Sequence, residues 1–275
     1  MYEKVIKVKG SKPGPISVII AGIHGNEVCG LKALNKILPS LTIEAGLLYI
    51  VYGNISAIKK NKRFIEFNLN RLFKDEKLLS ALEKKSAESK RARIIKKYLD
   101  KADALLDIHA STSKNSHPFI ICEKNAKDIF PYLPFDLVVS GFDKIEPGGT
   151  DYYMNKKGKI GICVECGYLG DDASADTAVK SIFSFLKARG HIRGEIKKQK
   201  QKYINIYDLY IAKSAKFNLT KDYADFESIS KGEIIARDNG VAVKAKRKSV
   251  ILFPTNCRKP GEEAYLLGEI RKNLI

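Results

Sequence analysis

The sequence predicts an α/β fold, a mixed and mostly parallel sheet flanked by helices and followed by a small C-terminal all-β domain. Three observations predict it. Apolar strand-like runs alternate with helical periodicity through the first 190 residues, the order that crossover connections produce. From Tyr203 onward that periodicity disappears, and short β-like runs are separated by turn signals. The 275 residues also supply enough material for one large core and a second, smaller one. The expected domains are 1–192 and 193–275.

The elements follow in order. Lys4 to Val8 alternates as a strand, Ile16 to Ala21 is an apolar run, and Leu47 to Tyr52 is a third strand. Between the last two, a helix from about Glu27 to Leu38 is closed by Pro39. Residues 75–99 read as one long charged helix, with Leu78, Leu82, Ile94, Ile95 and Leu99 on its apolar side. Strands are expected at Ala104 to Ile108, Phe119 to Cys122, Leu137 to Val139 and Ile160 to Glu165, then a helix from Ala173 to Arg189. Polar Glu195 to Lys202 reads as the linker or its edge. Beyond it come β-like runs at Tyr207 to Ala212, Ile234 to Ala236, Val241 to Lys244 and Val250 to Phe253, with Asp238-Asn239-Gly240 as a hairpin turn.

Composition narrows the class. The net charge of +18 is spread evenly, residues 191–275 carrying 18 Lys+Arg against 10 Asp+Glu and the remainder 31 against 21. No basic tail or arm forms, so the excess reads as a Lys-rich solvated surface that also draws in acidic small molecules. Nucleic acid is not expected as a partner. Five scattered cysteines, Cys163-Val-Glu-Cys166 among them, have no second Cys pair and read as buried free thiols. With no secretory h-region and no apolar run of membrane-spanning length, a cytoplasmic protein without membrane attachment is expected. Homo-oligomerisation is left open.

Chemistry centres on Gly22-Ile23-His24-Gly25-Asn26-Glu27, where the apolar run breaks into a tight turn. His24 and Glu27 are spaced to provide two of the three protein ligands of a catalytic zinc. His109, ending the apolar run Leu105-Leu-Asp-Ile-His109 at the end of the sheet where α/β enzymes place their sites, is the third ligand candidate. Together they make a His₂Glu set, with Asp107 two residues before His109 and on the same strand face as a buttress. His117 and His191 lack that strand-end context. The irregular stretch Asn61 to Phe73 offers Arg63, Asn68, Asn70 and Arg71, residue types that grip a carboxylate when they are not simply solvated. Glu165 ends an apolar run and reads as a general base with a raised pKa in a low-dielectric pocket.

His24-Gly-Asn-Glu27, Asn68-Leu-Asn70-Arg71, Asp107-Ile-His109 and Val164-Glu165-Cys-Gly167 resemble, in order, the motifs of the succinylglutamate desuccinylase/aspartoacylase family of the zinc carboxypeptidase-like superfamily. The resemblance spans about residues 16–190, and a small C-terminal β domain is a further family feature. It implies one zinc per chain on His24, Glu27 and His109, with Glu165 as general base and acid. It also implies that Arg63 polarises the scissile carbonyl while Asn70 and Arg71 hold a substrate carboxylate. Two departures stand out. Asn68 occupies a position where the family usually has Asp, and Thr150 to Lys159 offers Asp151, Tyr152, Tyr153 and Asn155 where aspartoacylases bring a further arginine. The second weighs against N-acetylaspartate as substrate.

The expected activity is therefore zinc-dependent hydrolysis of an amide bond in a small anionic substrate such as an N-acyl amino acid. The alternatives are a zinc carboxypeptidase acting on short peptides, and a basic nucleic-acid- or anion-binding protein on a hydrolase-like scaffold.

Overall fold

The computed structural model describes residues 4–114 and 116–274. Edge strand β1 (Val5–Lys9) is largely exposed. In β2 (Lys12–Ala21), Pro13 and Pro15 lack the N–H a ladder needs, and the register jumps between Lys12 and Ile16; Ser17 to Ala21 are then fully buried. Next come α1 (Cys29–Ile37), which buries Cys29, Gly30, Ala33, Leu34 and Ile37 at helical spacing, and β3 (Ala45–Tyr52). A short α2 (Ile55–Lys60) is capped by the Asn54 side chain, which accepts from the Ala57 N–H.

Residues 75–99 depart from the single helix expected. A 3₁₀ turn at Glu76–Leu78 is followed by α3 (Ala81–Lys85) and α4 (Ala87–Leu99). Ser80 and Glu83 form a reciprocal capping box, and extended Ser86 both ends α3 and caps α4 by accepting from the Ser89 N–H. These hydroxyls compete with helix continuation for backbone donors. Leu78 and Leu82 consequently stand 64% and 73% exposed, while Ile95 and Leu99 reach the core.

Strand β4 (Ala104–Ser111) is buried throughout. It is followed by β5 (Phe119–Cys122), β6 (Leu137–Ser140), α5 (Phe142–Ile145), α6 (Thr150–Lys156), β7 (Ile160–Tyr168) and α7 (Ala173–Ala188). The polar stretch after α7 has no regular structure until Lys202, which opens β8 (Lys202–Ile211). The rest is β9 (Phe217–Leu219), β10 (Ser228–Ile229), β11 (Ile234–Asp238), β12 (Val241–Lys244), β13 (Ser249–Leu252) and β14 (Glu263–Arg271). Asn239 and Gly240 turn β11 into β12 with φ of 50° and 83°, the two positive angles a tight hairpin requires.

Eleven strands form one mixed sheet in the order β1-β3-β2-β4-β7-β5-β6-β8-β14-β13-β10, and β12-β11-β9 form a small antiparallel sheet. The centre, β3-β2-β4-β7, is parallel. Strand β5 reverses against β7, and β6 and β8 run parallel to β5. Through the β6–β8 pair the C-terminal strands extend the main sheet, and Ile204, Ile206 and Leu266 share an apolar cluster with Phe119, Val139 and Cys163. A separate cluster around Phe217, Ile235 and Tyr265 belongs to the C-terminal strands alone. All five cysteines are free and buried. Among the described residues no helix is long and apolar enough to cross a membrane.

Candidate active site

Three adjacent parallel strands, β2, β4 and β7, bring the chemistry to their carboxyl ends. Strand β2 ends at Ala21, and Gly22 turns with φ +77° into the loop carrying His24 and Glu27. Gly25 is required there because a Cβ would lie 2.2 Å from the Ala57 carbonyl carbon. His109 sits near the end of β4, beside Glu165 of β7 in the strand register.

Both imidazoles turn Nδ1 toward one carboxylate. His24 Nδ1 lies 2.7 Å from Glu27 Oε1, and His109 Nδ1 lies 2.9 Å from Glu27 Oε2. Their far nitrogens meet other oxygens, His24 Nε2 at 3.0 Å from Asn68 Oδ1 and His109 Nε2 at 3.2 Å from Asp107 Oδ2. Asn68 also accepts the Asn70 N–H, and Thr150 donates its hydroxyl to Asp107, so both orienting groups are themselves held. Protonated at Nε2 toward Asn68, His24 presents its Nδ1 lone pair to the Glu27 carboxylate, while His109 hydrogen-bonds Glu27 through Nδ1 and buries an Nε2 without a hydrogen bond. A lone pair so close to a carboxylate oxygen requires a proton or a cation between them. His24 Nδ1 is buried and makes no hydrogen bond. The ligand atoms of His24, Glu27 and His109 lie within 4.8 Å of one another, so the donor set fits a single ion of the zinc type.

The electrostatics follow from burial and proximity. Burial pushes His24 below its ordinary value against the pull of Glu27, which favours the neutral ring a metal needs. Burial presses the same way on His109, but the Asp107 carboxylate overrides it and raises that imidazole. Burial also opposes ionisation of Glu27, yet the two imidazoles hold it well below the usual carboxylate range. Glu165, 9% exposed, has an Oε2 with no hydrogen-bond partner. Burial, with the Glu27 charge adding to it, pushes its carboxyl up to about 8.

A cavity of about 740 Å³ opens over these groups. His24, Glu27, Arg63, Asn70, Arg71, His109 and Glu165 all line it, so the seven residues singled out from the sequence face one space. Arg63 is 43% exposed and donates from Nη1 to Glu27 Oε1 at 2.8 Å. Arg71 differs from the sequence expectation, which left its guanidinium free for a ligand. Its Nη2 lies 2.5 Å from Glu146 Oε1, while Nε and Nη2 donate to the two oxygens of Glu263 at 3.2 and 3.1 Å. Glu146 and Glu263 were not legible as site residues, being 75 and 192 positions away in sequence. His117 pairs with Asp136, and His191 bonds Ala45 and Ser17, so neither joins the centre.

The family model for the succinylglutamate desuccinylase/aspartoacylase catalytic domain matches residues 13–188. The chain is 25% identical over 308 aligned positions to the succinylglutamate desuccinylase of Shewanella piezotolerans, covering 96% of this chain and 84% of that one. In fold it resembles the succinylglutamate desuccinylase of Vibrio cholerae, with a TM-score of 0.80 at 18% identity over 96% of this chain and 85% of that one. A product-bound ectoine utilization protein from Ruegeria pomeroyi is similar too, with a TM-score of 0.74 at 21% identity over 96% and 88%. With a family model matched over most of its length and the same fold in solved relatives, the chain belongs to the succinylglutamate desuccinylase/aspartoacylase family and is a hydrolase of that deacylase family.

Proposed function

We propose that the chain is a zinc-dependent hydrolase cleaving the amide bond of a small carboxylate-bearing compound of the N-acyl amino acid class. The observation that carries this reading is the convergence of two buried Nδ1 atoms on Glu27, beside the unpartnered carboxylate of Glu165. His24, Glu27 and His109 would hold one zinc. Bound there, zinc supplies a Lewis acid for the amide carbonyl and lowers the pKa of a coordinated water to about 7.

The chain's own residues do the rest. Glu165 takes the proton from the attacking water as its oxygen bonds to the carbonyl carbon. The same carboxyl then gives that proton to the nitrogen as the C–N bond breaks, and the second proton of the water follows it, leaving a carboxylate and an ammonium. A raised pKa suits the second half, letting it keep a proton between steps, and a cation held on Glu27 would offset the charge that helps raise it and favour the carboxylate the first half needs. Arg63 donates to the carbonyl oxygen, where negative charge develops. Asn70 and Arg71 contact the polar end of the substrate. Because Glu146 and Glu263 already balance Arg71, a substrate carboxylate reaches it by displacing Glu263, the more exposed partner at 46%. Residues 1–192 thus carry the chemistry, and 193–275 close the cavity. A cytoplasmic setting completes the reading.

The expected result with zinc-loaded protein is release of free amino acid from Nα-acetyl amino acids, with unblocked short peptides cleaved more slowly. Ninhydrin or chromatographic detection of the freed amine checks it. Peptide trimming without any deacylation would move the activity to a carboxypeptidase.

A further inference from the structure

Arg63 lies where no regular element holds it. Between α2 and the 3₁₀ turn Leu69–Arg71 the chain is neither helix nor strand, and the Arg63 side chain is 43% exposed. Neither a backbone ladder nor close packing therefore fixes where its guanidinium stands. Individual hydrogen bonds hold the segment instead. The Lys62 N–H donates to the Ala57 carbonyl at 3.0 Å, and the Arg63 carbonyl accepts from the Gly25 N–H at 3.2 Å. Two further backbone donors, those of Ile65 and Glu66, turn inward.

Both meet Glu88, in the first turn of α4. Its Oε1 accepts the Ile65 N–H at 2.8 Å, the Glu66 N–H at 3.3 Å and the Asn54 Nδ2 amide at 3.2 Å. Glu88 is 1% exposed and Asn54 4%. The clasp is reciprocal, since Glu66 Oε1 accepts the Ala87 N–H at 3.1 Å. Asn54 donates its own N–H to the Gly22 carbonyl at 2.8 Å, where the loop carrying His24 and Glu27 begins. One buried oxygen thus ties the segment bearing Arg63 to the chain beside that loop. Removing it would leave three donors unpaired away from water, so the segment would have to move to satisfy them. The other oxygen, Oε2, is enclosed and bonds nothing.

We infer that Glu88 is a positioning residue for the hydrolysis. It does not line the cavity; it fixes segment 62–66 so that Arg63 Nη1 stands 2.8 Å from Glu27 Oε1, over the candidate centre. The inference rests on the reading of Arg63 as donor to the carbonyl oxygen. On a loosened segment that arginine must be ordered in every turnover, and a misplacement of about 1 Å can cost ~10²-fold. Because the charge it meets develops in the transition state, the loss falls on kcat and leaves KM nearly unchanged.

A double-mutant cycle tests this on the zinc-loaded full chain, with the fastest-cleaved member of a panel of Nα-acetyl amino acids. Glu88→Ala should lose at least ~10-fold in kcat while keeping the parental zinc content. Arg63→Ala should cost at least ~10-fold in the parent but less than about 3-fold in the Glu88→Ala background. Glu88→Gln keeps the accepting oxygen and should stay within about 3-fold of the parent. Amide exchange over residues 61–68 of the metal-free protein adds a readout without turnover, quickened in Glu88→Ala and parental in Glu88→Gln. Should Glu88→Ala fail to fold, Glu88→Asp, whose acceptor is drawn back by one methylene, carries the same cycle. Equal cost of Arg63→Ala in both backgrounds, or parental exchange without the Glu88 acceptor, would overturn the inference and leave the hydrolase intact. Full activity of Arg63→Ala in the parent would overturn the role read for Arg63, and no cleavage of any panel member the hydrolase reading; the inference falls with either.

Discussion

Glu165→Gln is expected to lose at least ~10²-fold in turnover while its fold and zinc content stay at parental levels. The amide keeps the size and one acceptor of the carboxyl but cannot take the proton that attack releases. Strand β7, which pairs in register with the strand bearing His109, sets Glu165 beside it, and its Oε2 has no hydrogen-bond partner. Removing the charge also relieves its repulsion with Glu27, so the variant should unfold at the parental temperature or above it. Turnover, elemental analysis and a thermal melt on the same preparation check the three parts. Near-parental turnover would reduce Glu165 to a structural carboxylate.

The second large effect falls on the ligands. His24→Ala and His109→Ala should each bring zinc from about one per chain toward zero, with turnover falling in step. Both rings turn Nδ1 toward Glu27, with Asn68 and Asp107 beside their far nitrogens. Asn68→Ala provides a graded contrast. It removes the oxygen that orients His24 but no ligand, so zinc should still bind, about 10–100-fold more weakly. Parental zinc content in both histidine variants would place the metal elsewhere.

Much of this was legible because it is local. An apolar run broken by glycine and followed by His24-x-x-Glu27 marks a strand end whatever lies elsewhere, and so does His109 after an unbroken apolar run. These two ends meet that of β7, which carries Glu165, because parallel crossovers align the carboxyl ends of neighbouring strands. The long charged helix was misread for an equally local reason. Ser80-x-x-Glu83 and Ser86 are helix-start signals, but the surrounding Lys, Glu and Leu have strong helix propensity and hid the interruption. Other features were not legible at all. Glu146 and Glu263 meet Arg71 only through tertiary structure, and β14, which carries Glu263, begins with residues that resemble an exposed turn.

The central claim is that one metal held by His24, Glu27 and His109 makes this cavity a hydrolase. Titrating Zn²⁺ into metal-free protein while following hydrolysis of an Nα-acetyl amino acid tests it most directly. Turnover should rise in proportion to added zinc, level off at about one equivalent per chain, and stay absent throughout in His109→Ala. Full turnover without added metal, or a rise that continues well past one equivalent, would contradict the account.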